Sequence, residues 1–354
     1  MAFKTATGYG NLPNGNFSPV IYSKKVQSAF RKTSVCEDIT NSDYFGEISN
    51  FGDTVRIIKE PEITISEYAR GTQVTPQDLQ DDDFTLVVDK ANYFAFKIDD
   101  IEEAHSHVNF ESMASDRAGY RLKDQFDQEV LGYLTGFKQA TISSNAGTAR
   151  VAADKSGTDP IAGAAANGLL ASMLIARNSF VSGGAATDSI ALHPDGSTGE
   201  ATPLEVLNRM ARLLDQQNVD RDGRWVVVDP VFAEQLNDEN SKLLNSDFAS
   251  SDPDILRNGR IISGMIRGFR VYMSNNLPSI GTGPATIDTN GSSAHYGAIV
   301  AGHDSAVATA SQVEKVETYR DNDSFADIVR GLHLYGRKVL RPEALVRAHY
   351  NIAG

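Results

Sequence analysis

The sequence predicts an α+β protein that covers its apolar surface with copies of itself. Three observations carry that expectation: two long alternating runs near the front, one unusually long helical stripe behind them, and a later alternation of capped helices with short apolar strands. In the run 83–99, Phe84, Leu86, Val88, Phe94, Phe96 and Ile98 all fall on even positions; in 53–68, Val55, Ile57, Ile63 and Ile65 fall on odd ones. Period two sends successive side chains to opposite faces of a strand, so each run presents one apolar stripe. With Gly71, Pro76 and the acidic run Asp81, Asp82, Asp83 between them, the two runs read as the legs of one extended hairpin over 46–100. At about 3.3 Å per residue each leg could reach about 50 Å, nearly twice the diameter of about 26 Å expected for a domain of about 100 residues. A two-stranded ribbon is marginal alone in water and must lay its apolar face on something. A second copy of the chain is the expected surface, with Ile63, Ile65, Tyr68 and Arg70 on the first leg, and Phe84, Leu86, Val88, Phe94 and Phe96 on the second, as candidate contact residues.

Behind the hairpin, Phe110, Ala114, Ala118, Leu122, Phe126, Val130, Tyr133 and Phe137 recur three or four apart, which predicts a helix over 109–137. Such a helix would be about 42 Å long, a spine for other elements. The stretch 141–200 is rich in Gly, Ala, Ser and Thr and reads as an elaborated surface region with one helical candidate at 164–180. Order returns at Thr202-Pro-Leu-Glu205, a capping box with proline at the first helical position. The run 224–230 is a short buried strand entering a second capped helix, 230–236; Asp252-Pro253 opens a third; 266–273 and 297–301 are further strands. The tail is strand-rich over 313–319, 325–335 and 338–346.

Composition narrows the function. At 354 residues, 41% hydrophobic and 22% charged, the chain can bury one large core or two ordinary ones. Its apolar runs are too short to span a bilayer, and residues 1–15 lack the apolar centre of a secretory signal, so a reducing cytoplasm and no membrane are expected. Cys36 has no second cysteine with which to form an internal disulfide or a thiolate metal site. A net charge of −13 argues against gripping nucleic acid. Yet residues 1–36 hold Lys4, Lys24, Lys25, Arg31 and Lys32 and no acid, so the remainder carries −18. A basic arm over 1–45 either lies along an acidic neighbour, faces a polyanion or is a solvated tail; Lys24, Lys25, Arg31 and Lys32 are its candidate contact residues.

Chemistry is sparse. Glu102, His105 and His107 have metal-ligand character, but no further His or Cys cluster completes a site. Asp81, Asp82 and Asp83 lack the glycine and distal glutamate of a calcium loop. There is no phosphate-binding glycine loop and no nucleophile elbow, so neither catalytic residues nor cofactors nor metal ligands are assigned.

The order of elements, together with local wording, resembles the major capsid proteins of tailed bacteriophages, the HK97-fold family. The wording is Trp225-Val-Val-Val-Asp-Pro-Val-Phe232, then 268–278, then Gly302-His-Asp-Ser-Ala-Val307, and finally 315–327 through Gly331-Leu-His-Leu-Tyr-Gly336 to Arg341-Pro342. The resemblance implies an HK97-like capsid fold: an N-terminal arm (1–45), an extended hairpin loop (46–100), a spine helix and start of the peripheral domain (101–140), an axial domain (141–312, elaborated at 141–200) and a return into the peripheral domain (313–354). It implies a structural protein and no enzyme: a homo-oligomer of pentamers and hexamers in an icosahedral head, assembled in the host bacterial cytoplasm, enclosing double-stranded DNA without sequence-specific binding. A separate scaffolding protein, a portal and cement proteins are the partners it suggests. Lys59, Lys90 and Lys97 lie on the hairpin, yet no partner asparagine marks a cross-link. The alternatives are a cellular nanocompartment shell of the same fold and, further off, a metal-dependent hydrolase using the His105 and His107 pair.

Overall fold

A computed structural model of the chain describes residues 34–41, 54–58, 63–71, 73, 76–78, 83–100, 110–136, 168–182, 190–193, 201–237, 265–277, 297–322 and 324–352. A helical turn α1 (Cys36–Ile39) precedes strands β1 (Thr54–Ile58), β2 (Asp83–Val87) and β3 (Lys90–Asp99), then the long helix α2 (Phe110–Thr135). The second half holds β4 (Leu174–Ile175), β5 (Ile190–Leu192), α3 (Pro203–Gln216), β6 (Arg224–Val228), α4 (Pro230–Leu236), β7 (Met265–Ile266), β8 (Phe269–Met273) and β9 (Gly297–His303). The chain ends in β10 (Val307–Arg320), β11 (Ala326–Val339) and β12 (Leu345–Ile352).

Local chemistry explains the α/β unit. The Thr202 hydroxyl accepts the Glu205 N–H at 3.3 Å while the Glu205 carboxylate accepts the Thr202 N–H at 3.1 Å, so α3 starts where the capping box requires. Asp229 accepts the Phe232 N–H at 3.0 Å and caps α4; it also accepts the hydroxyl of Tyr350, tying that cap to β12. The strands order as β4-β12-β9-β6-β8-β7, with β5 also on β12. Strand β6 is buried on both faces: Val226 and Val228 join the core under α3 and α4, whereas Trp225 and Val227 join the core that contains Val130, Leu131 and Leu134 of α2. This two-sided burial is why 225–228 reads as an unbroken apolar run.

Strand β12 is buried at every position, including Arg347 and His349. Burial, with the Arg347 charge second, pulls the His349 imidazole down to about 3. The folded state therefore refuses a proton that the unfolded chain accepts. Stability is complete above the ordinary imidazole value of about 6.5 and falls as the pH drops below it, by up to about 1.4 kcal/mol per pH unit. Thermal unfolding followed from about pH 7 to about pH 4 is expected to show this slope, and His349→Gln a shallower one.

The structure revises the sequence reading in four places. First, the two front runs pair with each other over only part of their length, and the longest paired ribbon among the described residues is β10 with β11, from Val307↔Val339 to Arg320↔Asp327 with one irregularity between Ser311 and Val313. The expected second leg is two strands. Its first part, β2, pairs with β1 from Thr54↔Val87 to Ile58↔Asp83, and its second part, β3, pairs with β11 from Ala326↔Asp99 to Tyr335↔Lys90. Period two specifies which face is apolar but not which strand lies alongside, and β11 supplies ten register partners for β3. The switch happens where the chain crosses Gly336, at which an added Cβ would be driven into the Val87 carbonyl. Gly336→Ala is expected to cost about 1–3 kcal/mol, read by urea unfolding, because backbone cannot move aside as a flexible side chain would.

Second, the part of the expected helix 164–180 that is described, 168–180, is not helical: short 3-10 turns at Ala171–Met173 and Arg177–Ser179 flank β4, which runs parallel to Arg347 and Ala348 of β12. Sheet pairing overrides the propensity of an alanine-rich stretch. Third, 266–273 is a tight hairpin turning at Arg267 (φ 54°) and Gly268 (φ 84°), not one strand. Fourth, the last tail strand runs over Leu345–Ile352 in place of the expected 338–346. Strands β10 and β11 form a three-stranded sheet with β3, whereas β12 sits inside the seven-stranded sheet. The spine helix agrees in place and length, and no helix among the described residues is long and apolar enough to cross a membrane. The arm over 1–33, the helix expected from Asp252 and the His105 and His107 pair lie outside the described residues.

Candidate subunit contact surfaces

The apolar alternation of the first leg survives beyond β1, but without a strand. Residues 63–70 are irregular and exposed throughout, with Ile63 at 66%, Ile65 at 95% and Tyr68 at 65% of full exposure, and with Arg70 beside them. The two limbs of this loop are linked by the Thr64 N–H, which donates to the Gln77 side-chain oxygen at 3.0 Å. Two isoleucines and a tyrosine offered together to water form the kind of patch that marks a partner surface.

The other expected contact residues divide. The Phe84 side chain lies outside what the structure describes. Leu86 and Val88 are buried in the subunit's own small core with Ala308, Ala310 and Leu340, so they are core residues and not contact residues. Phe94 and Phe96 are half-buried and stack on each other at 6.0 Å, Phe94 lying against Gly331 of β11. Lys24, Lys25, Arg31 and Lys32 lie outside the described residues. Lys90 pairs with Asp89 at 3.0 Å and Lys97 with Asp321 at 2.5 Å.

Sequence reasoning missed a second exposed surface, on the β3-β11-β10 sheet. Tyr93 and Leu332 are register partners and both stand in solvent, and Tyr319 is exposed on β10. Arg330 covers Tyr319 at 4.8 Å and pairs with Glu317 at 2.8 Å. At the sheet's far end, Arg320 joins Asp100 and Asp327, and this pairing holds the Asp100 carboxyl below its usual range. The signal was present as odd-numbered Tyr93 and even-numbered Leu332, but only the register aligns them.

The subunit is braced by buried carboxylates of α2. Asp127 accepts the N–H groups of Val35 and Cys36, each at 3.0 Å, and the Ser34 hydroxyl at 3.2 Å; its other oxygen accepts the Asn276 amide at 2.8 Å. Glu129 accepts the Tyr335 hydroxyl and the Arg337 guanidinium, the latter at 3.3 Å. Residues 34–41 are pinned further where the Asn41 N–H donates to Val307 O at 2.8 Å and the Thr309 N–H donates to Asn41 O at 3.1 Å. The root of the arm is thus fixed to the spine helix and to β10. Burial and the adjacent Asp127 charge push the Cys36 thiol up, which keeps it an inert apolar side chain. Among the described residues no group of three His, Cys, Asp or Glu side chains could hold a metal ion.

No protein-family model matches the sequence, and neither does any curated protein. Solved structures do. A chain from Mycobacterium phage Che8 superposes with a TM-score of 0.66 at 26% identity, over 94% of this chain and 97% of that one. The capsid structure of cyanophage P-SCSP1u gives 0.60 at 20% identity over 100% of both chains, and the cyanophage Pam1 capsid asymmetric unit gives 0.66 at 15% identity over 99% of both. This is the phage major capsid fold. The match spans the spine helix, the seven-stranded unit and the three-stranded sheet together. The exposed loop at 63–71 and the sheet face at Tyr93 and Leu332 are therefore features of a chain whose structural neighbours are capsid components.

Proposed function

We propose that this chain is a major capsid protein whose copies close into pentamers and hexamers of an icosahedral phage head enclosing double-stranded DNA. The observation that carries the reading is the full-length match to phage capsid structures in a subunit that leaves Ile63, Ile65 and Tyr68 in water. Burying an isoleucine fully is worth about 1.5–3 kcal/mol, so the loop gains most by lying on a neighbour. The exposed apolar row of the β3-β11-β10 sheet is the surface offered in return. A heterologous contact of this kind, loop of one copy on sheet of the next, closes into rings when the rotation permits. The basic arm, with Lys24, Lys25, Arg31 and Lys32, extends from a root anchored by Asp127 and would run along an acidic neighbour. A subunit of net charge −13 repels DNA, which suits a container more than a binder.

Sedimentation velocity on the purified chain tests this, alone and with any scaffolding protein encoded beside it. Species of capsomer mass and above are expected. A chain that remains at 38.3 kDa under all conditions would reject the assembly reading.

A further inference from the structure

On the flank of the seven-stranded unit, α3 presents Glu205, Asn208, Arg209 and Arg212 along one face, and with Phe180 they line an open notch of about 420 Å³. Arg209 sits over the Phe180 ring, its guanidinium carbon 4.2 Å from the ring centre. Glu205, the one acid in the notch lining, is engaged with the Thr202 N–H as part of the helix cap. Among the described residues, no ion pair reaches Arg209 or Arg212. Burial first, then the neighbouring Arg212 charge, pull Arg209 below the ordinary guanidinium range, and the Glu205 charge opposes them only in part. In a chain with 46 acidic and 33 basic residues, two adjacent arginines that share a single carboxylate, itself engaged in a helix cap, are conspicuous.

We infer that this notch receives a carboxylate from a second copy of the chain, so that each subunit's Arg209 and Arg212 clasp the next subunit along a ring. The inference rests on the shell reading above. Complementary charge is available on the same unit: Asp220, Asp222 and Glu234 are exposed, and none has a cationic partner among the described residues. Asp220 and Asp222 lie in the turn beyond the C-terminal end of α3 and do not pair with the arginines of their own helix. Phe180 supplies an apolar floor under the Arg209 guanidinium, whose planar fork meets a carboxylate through paired hydrogen bonds. Packaged DNA is the less favoured occupant, because the body around the notch is acidic overall.

Arg212→Glu and Arg209→Gln test the inference, with folding checked by thermal unfolding. Both variants are expected to fold as wild type and to need about tenfold more protein for half-maximal assembly, Arg212→Glu the more so. Mixing Arg212→Glu subunits with Asp220→Arg, Asp222→Arg or Glu234→Arg subunits is expected to restore assembly for at least one pair. Assembly of both arginine variants at wild-type concentration, or failure of every charge-swapped mixture, overturns the inference while leaving the capsid reading intact. Unchanged assembly, together with salt-sensitive binding of short duplex DNA that Arg209→Gln abolishes, would give the notch to phosphate and likewise overturn it. A wild-type chain that never assembles defeats the capsid reading itself, and this inference with it.

Discussion

Replacing Asp127 with alanine is expected to destabilise the subunit by about 3–5 kcal/mol, because several donors would be left buried without an acceptor at about 1–3 kcal/mol each. The donors come from two separate parts of the chain, Ser34, Val35 and Cys36 at the root of the arm and Ser274 and Asn276 after β8, and they meet on Asp127 of α2. Asp127 itself is completely buried. Urea unfolding gives the loss directly, and Asp127→Asn, which keeps the shape but exchanges an acceptor for a donor at one oxygen, is expected to fall between the two. A separate signature distinguishes this anchor from generic core damage. In Asp127→Ala, amide exchange at Val35, Cys36 and Asn41 should accelerate more than exchange in β6, which lies in the seven-stranded sheet, whereas Asn41 is bonded to β10 of the other. Equal stability of wild type and Asp127→Ala would mean that the arm root is held by its contacts with β10 alone.

The second large effect concerns assembly and not folding. Ile63→Asp combined with Ile65→Asp is expected to leave unfolding unchanged within about 0.5 kcal/mol, since both side chains already stand in solvent. The same pair is expected to abolish capsomer formation, because a carboxylate buried at the contact would have to be desolvated without a partner. Sedimentation velocity separates the two outcomes: a folded monomer is the expected product. Phe94 and Phe96 make a poorer test than the residue alternation suggests, because both are half-buried against their own sheet, so an acidic substitution there would damage the subunit as well as any interface.

Much of the fold is legible in the sequence, and the parts that are not share a physical cause. Thr202-Pro-Leu-Glu205 and Asp229-Pro230 announce their helices because capping is a local interaction, complete within four residues. The spine helix is legible from its period, and β6 from an apolar run buried on both sides. Strand partnership is not local. The even-numbered stripe from Leu86 to Ile98 is real, yet nothing in it records that β2 turns to β1 while β3 turns to β11, some 240 residues away at Asn92 and Tyr335. The carboxylates that brace the subunit were equally invisible, since Asp124, Asp127 and Glu129 on an amphipathic helix read as its solvated face until Asn276, Tyr335 and Arg337 are brought to them. Of the candidate contacts, Ile63, Ile65 and Tyr68 were legible as apolar residues in search of a surface. Tyr93 and Leu332 were not, because only register places them side by side.

If copies of this subunit close into a shell, negative-stain electron microscopy of the purified chain, with its scaffolding protein where one is encoded beside it, will show rings and shells for wild type and none for the Ile63→Asp, Ile65→Asp pair. Fields of dispersed monomers for wild type, or normal shells from the double variant, would overturn the shell reading.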